Sequence, residues 1–209
     1  MSARTEGKST SEARARLLDT ATRIFYAEGI HSVGVDRIIA EAQVTRATLY
    51  RHFKGKDELI LAYLQRADHG IRGQVAAIRA QGLPAAETVR AVGRSIADGI
   101  QSPGFRGCAF LNAAAEYPDP AHPVHRAVLD HRQWFLETAT QLMEDAGCAP
   151  ADMTGRHFVM LRDGAMAAGC LFDPTLICAT FLDGVEGILH AGAAPEPDSP
   201  APERARFSA

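Results

Sequence analysis

The sequence predicts an all-α chain of about nine helices, with a short N-terminal three-helix unit and a larger helical body after it. Three observations point there. Apolar residues recur at three- and four-residue spacing through most of the 209 positions, the period of amphipathic helices. No run alternates apolar and polar residues long enough to make a useful strand. The stretch from Val35 to Lys56, VDRIIAEAQVTRATLYRHFKGK, holds two short helical patterns joined by a tight turn, which reads as a helix-turn-helix.

Taken in order, residues 1–8 read as disordered, and Ser9 with Glu12 has capping-box spacing for a first helix. Leu17, Ala21, Ile24 and Phe25 carry that helix to a stop at Gly29. It packs across the motif helices, with Phe25, Ile38, Leu49 and Phe53 as the shared core. Lys56-Asp57-Glu58 opens a helix of about 25 residues, its acids suited to the positive end of the helix dipole. Further helices follow Pro84 (to Ile100), Arg106 (to Glu116), Pro123 (to Gly147), Asp152 (to Phe172) and Thr175 (to about His190). Asp173 is a natural N-cap, with Pro174 at the first helical position. The division is therefore 1–8 disordered, 9–55 the helix-turn-helix domain, 56–191 the body, and 192–209 a disordered Ala/Pro/acid tail.

Composition narrows the class of protein. An apolar share of 46% and a charged share of 22% are ordinary for a soluble globular chain. The formal net charge of −3 argues against a protein that coats nucleic acid without specificity. The charge is unevenly placed: residues 1–66 hold 11 basic and 8 acidic residues, a net of +3, which leaves −6 for the rest. A basic head on an acidic body suits a DNA reader with a second domain. Cys108, Cys148, Cys170 and Cys178 show no metal-type spacing and follow no secretory signal, so buried reduced thiols in a cytoplasmic protein are expected. No apolar run reaches the roughly 20 residues that cross a bilayer.

Within the motif, Ile38, Ile39 and Ala42 share one face of the first helix, and Leu49 and Phe53, four apart, share one face of the second. Turning those faces inward leaves Thr45, Arg46, Thr48, Tyr50, Arg51 and His52 outward. That set is rich in donors for phosphate oxygens and base edges and contains no carboxylate. A second helix seated in a major groove is the economical reading.

The segment AEAQVTRATLYRHFKGKDEL resembles the DNA-binding domain of TetR-type transcriptional regulators, most specifically in the run Thr48-Leu49-Tyr50-Arg51-His52-Phe53. The resemblance covers roughly residues 11–60, and beyond it the chain agrees in helix number and spacing only. It implies that Thr45, Arg46, Ala47, Thr48 and Arg51 face base edges or the adjacent sugar-phosphate, and that Tyr50, His52 and Lys56 hold phosphates, with Arg37 as an additional phosphate candidate. Directed bonds from Tyr and His would fix register, while Arg can grip guanine with two bonds. Two departures stand out. Gln43 occupies a turn position where the family commonly has glycine, and Val33 stands where a capping threonine is usual, which leaves Ser32 or Gly34 for that role.

For the body, small residues at helical spacing on the last two helices predict a four-helix dimer interface built from Gly164, Ala168 and Leu171 with Phe181, Gly184, Val185 and Ile188. Use of the same stripes inside a monomer is the alternative. Two heads about 34–36 Å apart would then enter successive major grooves of a palindromic operator on double-stranded DNA. An effector pocket for a small apolar or amphipathic molecule is expected among Phe105, Phe110, Asn112, Glu116, Trp134, Phe158 and Met166. For each of these, ordinary packing is the competing reading. His122 and His125 invite a metal reading with Asp119, but no third strong ligand is placed, so no metal and no cofactor is expected. Cys108 could be a redox sensor or a plain buried thiol. The chain reads as a ligand-responsive, homodimeric regulator, most simply a repressor. The rivals are an all-helical enzyme, for which no spaced catalytic set is present, and a ligand-binding protein whose head no longer reads an operator.

Overall fold

In a computed structural model that describes residues 2–193, with side chains from Glu12 onward, the described residues form nine helices and no strand. They are α1 (Ser2–Glu28), α2 (Val35–Glu41), α3 (Arg46–His52), α4 (Lys56–Arg79), α5 (Ala85–Gln101), α6 (Ala109–Glu116), α7 (Pro123–Asp145), α8 (Ala151–Ala168) and α9 (Pro174–Gly192). Two ends differ from expectation. Helix α1 begins at Ser2 and not at Ser9, because no breaker precedes Ser9 apart from Gly7 and the preceding turn simply continues. At the other end α9 includes Gly192, whose carbonyl accepts from Ala149 N at 2.8 Å, and Ala193 forms a single antiparallel bridge with Cys148. Residues 194–209 of the expected tail lie outside the described residues.

The helix ends have local causes. Gly29 adopts a left-handed φ of 91° and stops α1. Pro84 is the residue before α5 and not its first, while Pro123 and Pro174 open α7 and α9. Asp173 caps α9, its Oδ1 accepting from Thr175 N at 2.9 Å. Helix α2 is capped by Gly34, whose lack of a side chain leaves the first-turn amides without a cap bond.

Buried side chains divide into two clusters. One joins Leu17, Ile24, Phe25, Ile38, Leu49 and Phe53 to Leu59, Ile60 and Leu64 of α4, and then to Phe110, Tyr117, Val124 and Val128 of α6 and α7. The other fills the far end of the body with Val89, Val92, Ile100, Phe135, Leu142, Phe158, Phe181 and Val185. Met166 packs against both. Helix α4 runs 24 residues, about 36 Å at 1.5 Å per residue, and connects the two.

Between α2 and α3 the turn is made by Gln43 at φ 53°, the left-handed conformation that glycine adopts most readily. A β-carbon there costs about 1–2 kcal/mol, of which the greater unfolded freedom of glycine would return part. Gln43→Gly is therefore expected to raise stability by about 0.5–1 kcal/mol, since the exposed Gln43 side chain gives up no packing. Thermal denaturation checks this, and an unchanged or lower midpoint refutes it.

Candidate nucleic-acid interface and ligand cavity

Helix α3 is short, and its start is fixed by its own sequence. Thr45 is the N-cap: its Oγ1 accepts from Thr48 N at 3.1 Å and lies 2.9 Å from Thr48 Oγ1. Leu49 and Phe53 are buried, anchoring the helix to α1 and α4, so the opposite face stays open. Thr45, Arg46, Ala47, Tyr50 and Arg51 are exposed on it, with Thr48 half-buried and Tyr50 48% exposed.

The remaining donors are engaged to different degrees. Arg46 pairs with Asp36 of α2, an exposed pair that a phosphate could displace at small cost. Arg37 is bound by both Glu28 and Glu41, and Glu41 is also held by Arg23. Arg37 thus sits in an exposed network that ties α2 to α1, and a phosphate would have to compete with two carboxylates for it. His52 is half-buried and its Nε2 is enclosed without a partner. Burial, with Arg51 and Arg14 nearby, pushes its pKa down and favours the neutral ring. Lys56, the first residue of α4, is also half-buried; burial lowers its pKa, while Glu116 and Asp57 act the other way.

Head and body are clasped where α1 ends. Glu116, the last residue of α6, accepts from Ile30 N at 2.8 Å and from His31 N at 2.5 Å. Tyr26 Oη donates to the carbonyl of Gly107 at 2.9 Å and accepts from Arg106 N at 2.9 Å. Glu116 therefore ties the body to the head, and Asn112 donates to the Arg106 carbonyl at 2.8 Å to hold the same loop, while both also border an open cleft of about 500 Å³ with Tyr26, Tyr63 and Arg106. The sequence reading did not find Tyr26; its only signal was a polar aromatic at the end of a helix whose one other aromatic, Phe25, faces inward.

Of the other pocket candidates, Phe105, Trp134 and Phe158 are packing residues, while Phe110 and Met166 each border a cavity. Phe110 stacks on His131 at 3.5 Å, and Phe158 lies between Phe135 and Phe181. Trp134 receives Arg72 over its ring at 4.2 Å, and Phe105 packs into the second cluster. Met166 does line a cavity of about 130 Å³, bounded by Ile71, Val75 and Ile78 of α4, Val92 and Ile96 of α5, Phe135 of α7, and Arg162 and Met166 of α8. The α4 and α5 walls were not among those expected, because most of the aromatic residues that mark a pocket by composition fill space here instead of lining it.

Corrections apply to the dimer face as well. Phe181 and Val185 are buried in the chain's own core, Gly184 lets Leu161 approach α9, and Ala168 and Ile188 are half-buried. Only Gly164 and Leu171 of that set lie on an open face. The exposed stripe of α8 runs Met153, His157, Met160, Gly164 and Ala167, at alternating spacings of four and three; Leu171 follows just past the helix end, and Leu176 and Gly187 are exposed on α9. Met160 of α8, Leu171 and Phe172 of the α8–α9 turn and Leu176 of α9 are 63–75% exposed, which is high for large apolar side chains within one stretch of chain.

The proline-flanked histidines have structural roles: His122 Nδ1 accepts from Val124 N to cap α7, and His125 Nδ1 bonds the Tyr117 carbonyl at 2.7 Å. No cluster of three or more metal-type ligands occurs among the described residues. All four cysteines are unpaired and Cys108 is buried. No helix among the described residues is long and apolar enough to cross a membrane.

Comparison with known proteins agrees with this architecture. Residues 17–63 match the family described as "Bacterial regulatory proteins, tetR family". Among curated relatives, the transcriptional activator FasR of Mycolicibacterium smegmatis is 42% identical over 69 residues, and the regulator SrpR of Pseudomonas putida is 37% identical over 67. Each match spans 32% of this chain and 32% of the relative, so the chain covers about a third of those proteins' length. A much longer match is to the crystal structure of SCO4454, a TetR-family transcriptional regulator from Streptomyces coelicolor. It is 73% identical, covers 88% of this chain and 97% of that one, and superposes with a TM-score of 0.86. The helix-turn-helix head, the all-helical body and a likeness that runs almost the whole length of SCO4454 together place this chain in the TetR family of DNA-binding transcriptional regulators, which are not enzymes.

Proposed function

We propose that the protein is a homodimeric repressor that binds a palindromic operator and is released when a small molecule enters the cavity of about 130 Å³ in the body. The observation that carries this reading is the position of α4. Its far half supplies Ile71, Gln74, Val75 and Ile78 to the cavity wall, and its first residue, Lys56, follows the recognition helix α3 by a short turn. A ligand that prefers one seating of α4 over another would change where the two heads sit, and DNA would change ligand affinity by the same factor.

Two copies are joined through the exposed stripe of α8 and α9, because one short recognition helix reads too few base pairs alone. Thr45, Arg46, Ala47, Thr48 and Arg51 then face bases and adjacent sugar-phosphate, with Tyr50 and His52 on phosphates. Lys56 contributes through the N-terminus of α4 as much as through its half-buried ammonium.

Gel-shift titration against DNA from upstream of its own gene tests the reading. Specific binding that weakens steeply with salt is expected, and Tyr50→Ala should reduce it at least tenfold without unfolding the protein, since Tyr50 is 48% exposed. Binding that is sequence-independent and seen only at low salt would overturn it.

A further inference from the structure

The charge balance around Arg162 identifies the chemistry of the molecule that the cavity takes, an inference that rests on the ligand-gated reading above. Arg162 sits in the middle of α8 and is 4% exposed. Its Nη1 donates to Asp163 Oδ1 at 2.9 Å, but that carboxylate is already gripped through both oxygens by Arg132. Two guanidinium groups therefore share one carboxylate, and the fully buried one keeps an excess of positive charge. Its Nε is enclosed and has no acceptor. The guanidinium carbon lies 5.3 Å from the centre of the Phe135 ring, and the thiol of Cys108 is beside it, neither of which supplies a full negative charge. A buried charge left partly unpaired is expensive, and proteins accept that cost where a ligand completes the pair.

Arg162 also lines the cavity, as its only charged wall. The other walls are aliphatic or aromatic, apart from Gln74, Ser95 and the backbone at Gly99. The volume of about 130 Å³ is close to that of a cavity able to hold a benzene molecule. We infer that the effector is a small monocarboxylate with a compact apolar body, a short-chain or single-ring acid, whose carboxylate pairs with Arg162 while its hydrocarbon part rests among Ile71, Val75, Val92 and Ile96. A neutral molecule of the same shape would leave the excess charge of the Arg162 guanidinium uncompensated. A larger or multiply charged acid would meet apolar walls on every other side.

Hexanoate and benzoate, with 1-hexanol and benzyl alcohol as their uncharged counterparts, are suitable probes for isothermal titration and thermal shift on the full-length protein. Each acid is expected to bind at least tenfold more tightly than its alcohol. Arg162→Met should abolish that preference, and it is expected to fold because Asp163 keeps Arg132. Ile96→Phe, which fills the cavity and leaves Arg162 intact, should weaken acid and alcohol alike and provides the test if the first variant does not fold. Equal binding of acid and alcohol, or acid binding that survives either substitution, overturns the inference.

Gel shifts with the same probes separate this inference from the gating reading. Acids that bind as described without releasing DNA count against gating alone. DNA release by the alcohols but not by the acids counts against the carboxylate alone.

Discussion

Met160→Asp is expected to convert the protein to a monomer and to remove most of its operator binding. Met160 is 71% exposed at the centre of the α8 stripe, so the isolated fold should tolerate the change. In a two-fold dimer the substitution occurs twice at one interface. Each copy loses about 2 kcal/mol of apolar burial and adds a carboxylate with no partner, so at least about 4 kcal/mol is lost. That corresponds to roughly a thousandfold in the dimer dissociation constant. Operator affinity falls with it, because the second head binds only through its tether to the first. Sedimentation equilibrium together with gel shifts reads both effects. A variant that remains dimeric at micromolar concentration would exclude this face as the interface.

Glu116→Ala is expected to unfasten the head from the body. The substitution leaves the amides of Ile30 and His31 without their acceptor. Bonds to a charged group are worth about 1.5–3 kcal/mol each at part-buried sites, and less where water can substitute, as at the exposed His31. A loss of about 2–3 kcal/mol overall should lower the melting temperature by about 5–10 °C for a chain of this size. Glu116→Gln, which retains one acceptor oxygen, should fall between the two. The more telling effect is on signalling: with the clasp gone, DNA binding should persist while its sensitivity to the effector declines. A melting temperature within a degree of the parent protein would show that the clasp carries no weight.

Much of the head was legible because its helices are amphipathic in a simple way. Leu49 and Phe53, four apart, could only be core, and that fixed which residues faced out. The body was harder to read where a helix has two apolar faces. Phe181 and Val185 share a helix with the exposed Leu176, and periodicity gives no rule for which stripe faces the chain's own core. Large residues turned inward and the open face kept Met160, Gly164 and Leu171, so small residues alone do not separate the stripe that faces the core from the one left open. Arg162 escaped notice for a related reason. Its charge suggested solvent, although it stands in phase with Phe158 and Ala165, both buried. A basic residue in register with a core stripe is a legible sign of a buried charge. The partners that decide its role, Arg132 and Asp163, are brought together only by the pairing of α7 with α8.

The first hydrophobic cluster crosses the covalent boundary at residue 55. Leu17, Ile24 and Leu49 share their apolar surroundings with Ile60 and Leu64, and through them with Phe110, Tyr117 and Val124. A fragment cut after the recognition helix would expose that surface to water, so the head is not a detachable module. Recombination within the family faces the same constraint. A transplanted reading head must bring α4 and a matching end of α6 with it, and new operator specificity is reached more readily by changing the outward residues of α3 than by exchanging domains.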